Sequence, residues 1–271
     1  MKIRVIATDL DGTLLRTDKS VSPRTRAAIH AAKEAGILVV VATGRPPRWI
    51  PPVIEALGDV GLVVCHNGAT VYDPVAHQII SRTEIDASVA LAVVDDVEAT
   101  FPEALIGVEQ EFDFAIDESA ATRDVEPLGS WKLDGVRVGP IRSFLDRPVT
   151  KMVLRFSDAP DGTAARVQSL VGDRALVTHS TSESFLELSH PTVHKAATVE
   201  RLLVDLGISA AEVVAFGDMP NDLELIRWAG HGVAVANAHP ELKLAADEVT
   251  TSNDDEGVAV VIERLLAGQG L

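Results

Sequence analysis

Cysteine and tyrosine are almost missing from this 271-residue chain, at one apiece, and the aromatic residues together reach only 4%. With Cys65 alone, no intrachain disulfide can form, which points to a reducing compartment and a cytoplasmic protein. Positive charge is scarce as well: 24 lysines and arginines face 40 aspartates and glutamates, a formal net charge of -16. That balance argues against nucleic acid or an anionic membrane surface as a partner. It also sets a requirement, because an anionic substrate then needs a locally positive site. No apolar run approaches the roughly 20 residues of a membrane helix. Lys2 and Arg4 faintly resemble the start of a signal peptide, but Asp9 and Asp11 end the apolar stretch too early.

What is present is a globular composition, 46% hydrophobic and 24% charged, long enough for one large domain or two ordinary ones. Apolar runs at Val5, at Ile37 to Ala42, at Leu62 to Cys65 and at Val213 to Phe216 read as strands covered on both faces. Helices are expected between them. Ser22-Pro23 opens one that Gly36 closes, and Pro46 and Pro47 lead into another carrying Trp49 to Leu57. A helix with Val199, Leu202 and Leu206 precedes Gly207, and Asn221, Pro240 and Val258 begin the last three. Asn67-Gly68 signals a hairpin. From Asp86 the texture changes to a helix followed by shorter strands at Leu105, Phe112, Val149 and Phe185, with a helix between Thr163 and Val171. The expectation is an α/β fold, a Rossmann-like parallel-sheet core split into 1–84 and 190–271, with an α+β cap inserted at 85–189.

Four strand ends stop at groups suited to phosphate or metal: Asp9-Leu10-Asp11-Gly12-Thr13, Thr43-Gly44, Asn67-Gly68 and Gly217-Asp218-Met219-Pro220-Asn221-Asp222. In an open parallel sheet such ends share one edge, where ligands bind. Asp9 and Asp11 can serve as a capped strand end, as oxygen ligands for a divalent cation, or as a nucleophile that is phosphorylated. Asp218 adds a third carboxylate for Mg²⁺, with Asn221 and Asp222 placed to orient the ion or its waters. Thr43 supplies a hydroxyl before amides that favour an anion. Lys195 is the best candidate for the positive charge that a phosphate site requires, with Arg45 and Arg48 as alternatives.

Taken together, Asp9-Leu10-Asp11-Gly12-Thr13-Leu14, Thr43-Gly44-Arg45, Lys195 and the Gly217–Asp222 segment resemble the four motifs of the haloacid dehalogenase-like superfamily. Their order and spacing are similar to its Cof-type phosphatases, as are Asn67-Gly68-Ala69 and the tail Gly232 to Ala238. The resemblance implies a Mg²⁺-dependent phosphatase for a small phosphorylated metabolite, a sugar phosphate or similar. It implies Asp9 as nucleophile and metal ligand, and Asp11 as acid and base with its carbonyl on the metal. Asp218 becomes the third ligand, and Asp222 a supporting residue or a further ligand. Leu10, Thr43, Gly44, Lys195 and Asn221 would cradle the phosphoryl group. The cap would cover the site and select the substrate. The chain departs from the family at Ala196, where glycine is common after the lysine, and at Val235-Ala236, where Met-Gly is usual.

Two rival functions share these residues. One is a phosphomutase or phosphotransferase, and the other a non-catalytic Mg²⁺-binding phosphoacceptor module, which would need neither Asp11 nor an insertion. His190 and His194 have the spacing of a helical metal pair, but Pro191 between them opposes one continuous helix. Glu111, Phe112, Asp113, Arg123 and Trp131 are candidates for shaping specificity. Oligomeric state is not legible.

Overall fold

The first strand of the computed structural model, Val5–Thr8 (β1), is buried at every residue and lies between two parallel neighbours. The structure describes residues 2–58, 60–119, 135–179 and 182–269. It divides into two units: one runs up to Ser81 and resumes at His194, and the other is Arg82–Val193.

The first unit is built on an eight-stranded sheet. Its further strands are Leu38–Ala42 (β2), Val63–Cys65 (β3), Thr70–Asp73 (β4), Gln78–Arg82 (β5), Val213–Gly217 (β12), His231–Ala234 (β13) and Glu248–Val249 (β14), in the order β14-β13-β12-β1-β2-β3-β4-β5. The six strands from β14 to β3 run parallel, and β4 turns back against β3. Every residue of β1 and β12 is buried, as expected where helices cover both faces. Successive strands run outward from β1 in one direction through β2 and β3, and from β12 in the other through β13 and β14. The β1–β12 seam is therefore a topological switch point, where open α/β sheets bind ligands beyond the strand ends.

The helices begin where their caps dictate. Helix α1, Pro23–Glu34, has Ser22 accepting the Thr25 amide and proline at its first position, where no backbone N–H is required. The segment after Pro46 is not one helix but a 3₁₀ turn, Pro47–Trp49, followed by α2, Pro51–Leu57. Pro51 and Pro52 cannot donate to a preceding turn, so the α-helix starts afresh there.

The second unit carries a six-stranded sheet of Leu105–Gln110 (β6), Asp113–Asp117 (β7), Val136–Gly139 (β8), Lys151–Arg155 (β9), Leu176–Thr178 (β10) and Phe185–Ser189 (β11), ordered β10-β11-β9-β6-β7-β8. Helices Ala87–Thr100 (α3) and Thr163–Val171 (α4) pack Val93, Val97, Val167 and Val171 with Ile106, Val108, Met152, Leu154, Leu186 and Leu188. The alternate strand residues Leu105, Phe114, Ile116 and Val153 form a separate cluster, as a period of two requires. The remaining helices, Lys195–Val204 (α5), Leu223–Trp228 (α6), Pro240–Ala245 (α7) and Gly257–Gln269 (α8), belong to the first unit. Strands β5, β8, β10 and β14 escape the sequence pattern because they are two to five residues long and half-buried or exposed. Among the described residues no helix is long and apolar enough to cross a membrane.

Candidate active site

Asp9 follows the last residue of β1 and is only 6% exposed. Its Oδ1 accepts the Leu10 amide at 2.7 Å, and its Oδ2 lies 2.8 Å from Lys195 Nζ. Lys195 opens α5 and is 1% exposed, and its ammonium also donates to Asp222 Oδ1 at 2.7 Å. Burial works against the Lys195 charge, but Asp222 and Asp9 outweigh it and raise its pKa. Asp222 is wholly buried and has little left to offer another group, since its Oδ2 accepts the backbone N–H groups of Asp218 and Met219 at 3.0 and 3.1 Å. Such a carboxylate positions the lysine and closes the turn after β12. Gly217 is obligatory there, because a Cβ on it would stand 2.5 Å from that of Asp222.

Asp218 completes a group of three carboxylates, with Asp9 and Asp222, whose oxygens lie within 4.8 Å of one another. Thr13 Oγ1 donates to Asp218 Oδ1 at 2.7 Å. Asp218 Oδ2 lies against Gly12, where an added Cβ would come within 2.3 Å; the φ of 75° at Gly12 favours glycine independently. Burial, then the charge of Asp222, raises the Asp218 pKa to about 6. Burial with Asp222 and Asp218 raises Asp9 as well, against the opposing pull of Lys195. Three buried acids thus share one buried ammonium. Hard oxygen donors with surplus negative charge fit a divalent cation such as Mg²⁺, and Asp9 and Asp218 are the two whose oxygens the protein engages least.

Asp11, two residues past Asp9, is in a different state. Arg45 forks onto it, Nε to Oδ2 at 2.6 Å and Nη2 to Oδ1 at 2.7 Å, and Lys19 Nζ stands 2.9 Å from Oδ1. Burial alone would raise its carboxyl, but these cations hold it below the ordinary carboxylate range. Arg45 therefore serves Asp11 here. Arg48 stacks over the Trp49 ring at 5.3 Å.

The remaining phosphate candidates also gather at the strand ends. Thr43 is buried directly after β2, and its Oγ1 accepts the Arg45 amide at 3.2 Å. Asn221 lies in the turn after β12, and its Nδ2 donates to Asn67 Oδ1 at 3.0 Å. Gly44 rests against the same Asn67 oxygen, which would lie 3.1 Å from a Cβ there. The hairpin expected at Asn67-Gly68 does join antiparallel β3 and β4, through a turn in which His66, Asn67 and Gly68 all have positive φ. Lys19, to which sequence reasoning assigned nothing, enters the site beside Asp11, while Thr13 and Asn67, placed only as members of strand-end motifs, gain specific partners. Asn67 was legible as a hairpin former and a strand-end polar group, and Thr13 as part of the Asp9–Thr13 motif, but the partner of neither was; Lys19 had no signal.

Other candidates lie elsewhere. His194 caps α5 by accepting the Ala197 amide, while His190 Nδ1 pairs with Thr192 Oγ1 at 2.9 Å, so each ring has a local task. Glu111 bonds Arg82 and pairs with Arg147, which also reaches Asp113. Phe112 is half-buried in the turn between β6 and β7, and Arg123 and Trp131 lie outside the described residues. Ala196 is accommodated, buried in the first turn of α5, and Val235 and Ala236 donate their amides to Gly217 and Thr251.

Comparison with known proteins points the same way. The model of the haloacid dehalogenase-like hydrolase family matches residues 6–262. The chain is 32% identical to the putative phosphatase YxeH of Bacillus subtilis, over 97% of this chain and 98% of that protein. It is 31% identical to the 5-amino-6-(5-phospho-D-ribitylamino)uracil phosphatase YwtE of the same organism, over 98% and 99%. Among solved structures, a haloacid dehalogenase-like hydrolase from Bacteroides thetaiotaomicron superposes with a TM-score of 0.78 at 28% identity, covering 97% of this chain and all of the other.

Proposed function

The chain belongs to the haloacid dehalogenase-like hydrolase family and is a phosphoric monoester hydrolase, and on that premise we propose that it dephosphorylates a small metabolite, a sugar phosphate or similar, with Mg²⁺ and through a phospho-Asp9 intermediate. The observation that carries this reading is the convergence of Asp9, Lys195, Asp218, Thr43 and Asn221 at one sheet edge, beside the β1–β12 seam. A ribityl phosphate appears in the name of one relative, which supports a phosphorylated polyol or sugar as the substrate class. We assign substrate selection to the inserted unit, and a cytoplasmic location to a chain with a single cysteine, the buried Cys65, which can form no intrachain disulfide.

The chemistry assigned to the residues follows from their surroundings. Asp9 is held by the Leu10 amide and Lys195, so that its carboxylate attacks phosphorus while the bond to the leaving oxygen breaks. Lys195, Thr43, Gly44 and Asn221 orient the phosphoryl oxygens and offset their charge. Mg²⁺, held by Asp9, Asp218 and the Asp11 carbonyl, supplies the remaining positive charge when bound. Asp11 gives a proton to the leaving oxygen and then takes one from the water that hydrolyses the acyl phosphate. Both Asp11 oxygens are engaged by Arg45 and Lys19, which favour its ionised form, so acid work requires that fork to open and the carboxylate to take up a proton before the leaving oxygen departs. Asp222 supports Lys195 and the turn rather than the metal.

Purified protein with Mg²⁺ should release phosphate from p-nitrophenyl phosphate. Asp9→Asn should lower turnover by at least about a thousandfold. Undiminished turnover in that variant would sink the covalent mechanism. A panel of sugar phosphates against nucleotides tests the substrate class, and preferential transfer to an added sugar would identify a phosphotransferase instead.

A further inference from the structure

The turn between β3 and β4 is unusual in holding three successive residues at positive φ: His66 at 51°, Asn67 at 57° and Gly68 at 114°. Only glycine is at ease there, with asparagine, aspartate and histidine next, so a simpler hairpin would cost less. The strain has a consequence in contacts. The His66 and Asn67 amides donate to the carbonyls of Arg45 and Thr43, tying the turn to the end of β2. The Gly68 carbonyl accepts Thr198 Oγ1 at 2.7 Å, and a Cβ at Gly68 would strike the His194 carbonyl at 2.6 Å, so the turn also lies against the start of α5. Asn67, 5% exposed, is left with its side chain between Gly44 and Asn221.

The chemistry of that placement is directional. Phosphoryl oxygens only accept, so Asn221 serves them only if its amide presents nitrogen. Asn67 Oδ1 can likewise only accept, and it takes one of the two Asn221 Nδ2 protons at 3.0 Å, leaving the other for a second acceptor. At the opposite end of the amide, Asn221 Oδ1 is buried and receives no hydrogen bond among the described residues, so the protein fixes this amide from the nitrogen side. We propose that Asn67 is a positioning residue for phosphoryl transfer, orienting the Asn221 amide so that its nitrogen faces the phosphoryl group. The inference rests on the assignment of Asn221 to phosphate binding.

Asn67→Gly is the appropriate probe, because glycine keeps the φ of 57° without strain and removes only the side chain. Its melting temperature should stay close to that of the native protein. With p-nitrophenyl phosphate as substrate, kcat/KM should fall about tenfold, with KM and the inhibition constant of inorganic phosphate rising together. In an Asn221→Ala background the same change should cost less than about twofold, since its target is gone. Equal losses in both backgrounds, or native kinetics for Asn67→Gly beside an impaired Asn221→Ala, overturn the inference alone. A native KM and phosphate inhibition constant for Asn221→Ala overturns it together with the phosphate-binding assignment.

Discussion

Lys195 in the first unit and Lys151 in the second are both almost fully buried, and both bond carboxylates. Lys151 and its partner Glu187 stand on adjacent antiparallel strands, on the face that also carries Glu109 and Arg155. Strand alternation and register bring Lys151 and Glu187 together, one charge against one. Lys195 instead meets Asp9 from the end of β1 and Asp222 from the turn after β12, with Asp218 beside them. That cluster joins three separate elements and keeps a surplus of negative charge. A balanced pair in a regular sheet fixes local structure, whereas an unbalanced cluster at a switch point is suited to taking up a cation and an anionic substrate.

The largest expected effect comes from removing the buried cation of the site. Lys195→Met leaves three buried acids without their ammonium, and should cost about 3–5 kcal/mol of stability as well as activity, measured by urea unfolding and phosphate release. Asp9→Asn, equally inactive, leaves Lys195 paired with Asp222 and should hold or raise the melting temperature. A lower melting temperature for Asp9→Asn than for Lys195→Met would refute the surplus of charge. In the second unit, Lys151→Met alone should cost about 3 kcal/mol, while Lys151→Met with Glu187→Leu should return to within about 1–2 kcal/mol of native. A double variant no more stable than the single one would show that this pair, too, has a task beyond packing.

The smallest effect concerns pH. A carboxyl whose pKa rises on folding binds its proton more tightly in the folded state, so its contribution is favourable below the unfolded value and is lost as pH rises. Asp218, raised from 3.8 to about 6, should therefore make the metal-free protein less stable as pH climbs through that window. Mg²⁺ should then raise the melting temperature by more at about pH 8 than at about pH 5, by about a few degrees. An equal shift at both values would count against metal binding at Asp218.

Much of the site was legible because phosphate chemistry requires particular residue types at strand ends, and the buried apolar strands are unmistakable. Asp9, Thr43, Lys195 and Asp218 stand out in that way. Asp222 was ambiguous between ligand and support, since a carboxylate in a turn looks alike in either role; its bonds to Lys195 and two amides favour support. Asn67 read as a turn former and a strand-end polar group, but its pairing with Asn221 was hidden, because the two meet only after β3 and β12 are placed in one sheet. Arg45 read as a phosphate alternative, but its fork onto Asp11 depends on the loop after β1 folding back toward β2.

By itself the sequence determined the α/β core, the buried strands and the chemical types at their ends, because burial and backbone turns constrain residues locally. Only the tertiary structure decided which of those groups share charge, which amide faces which acceptor, and that Lys195 is buried between two acids instead of solvated. Those outcomes depend on distances between segments far apart in the chain, which no local pattern encodes.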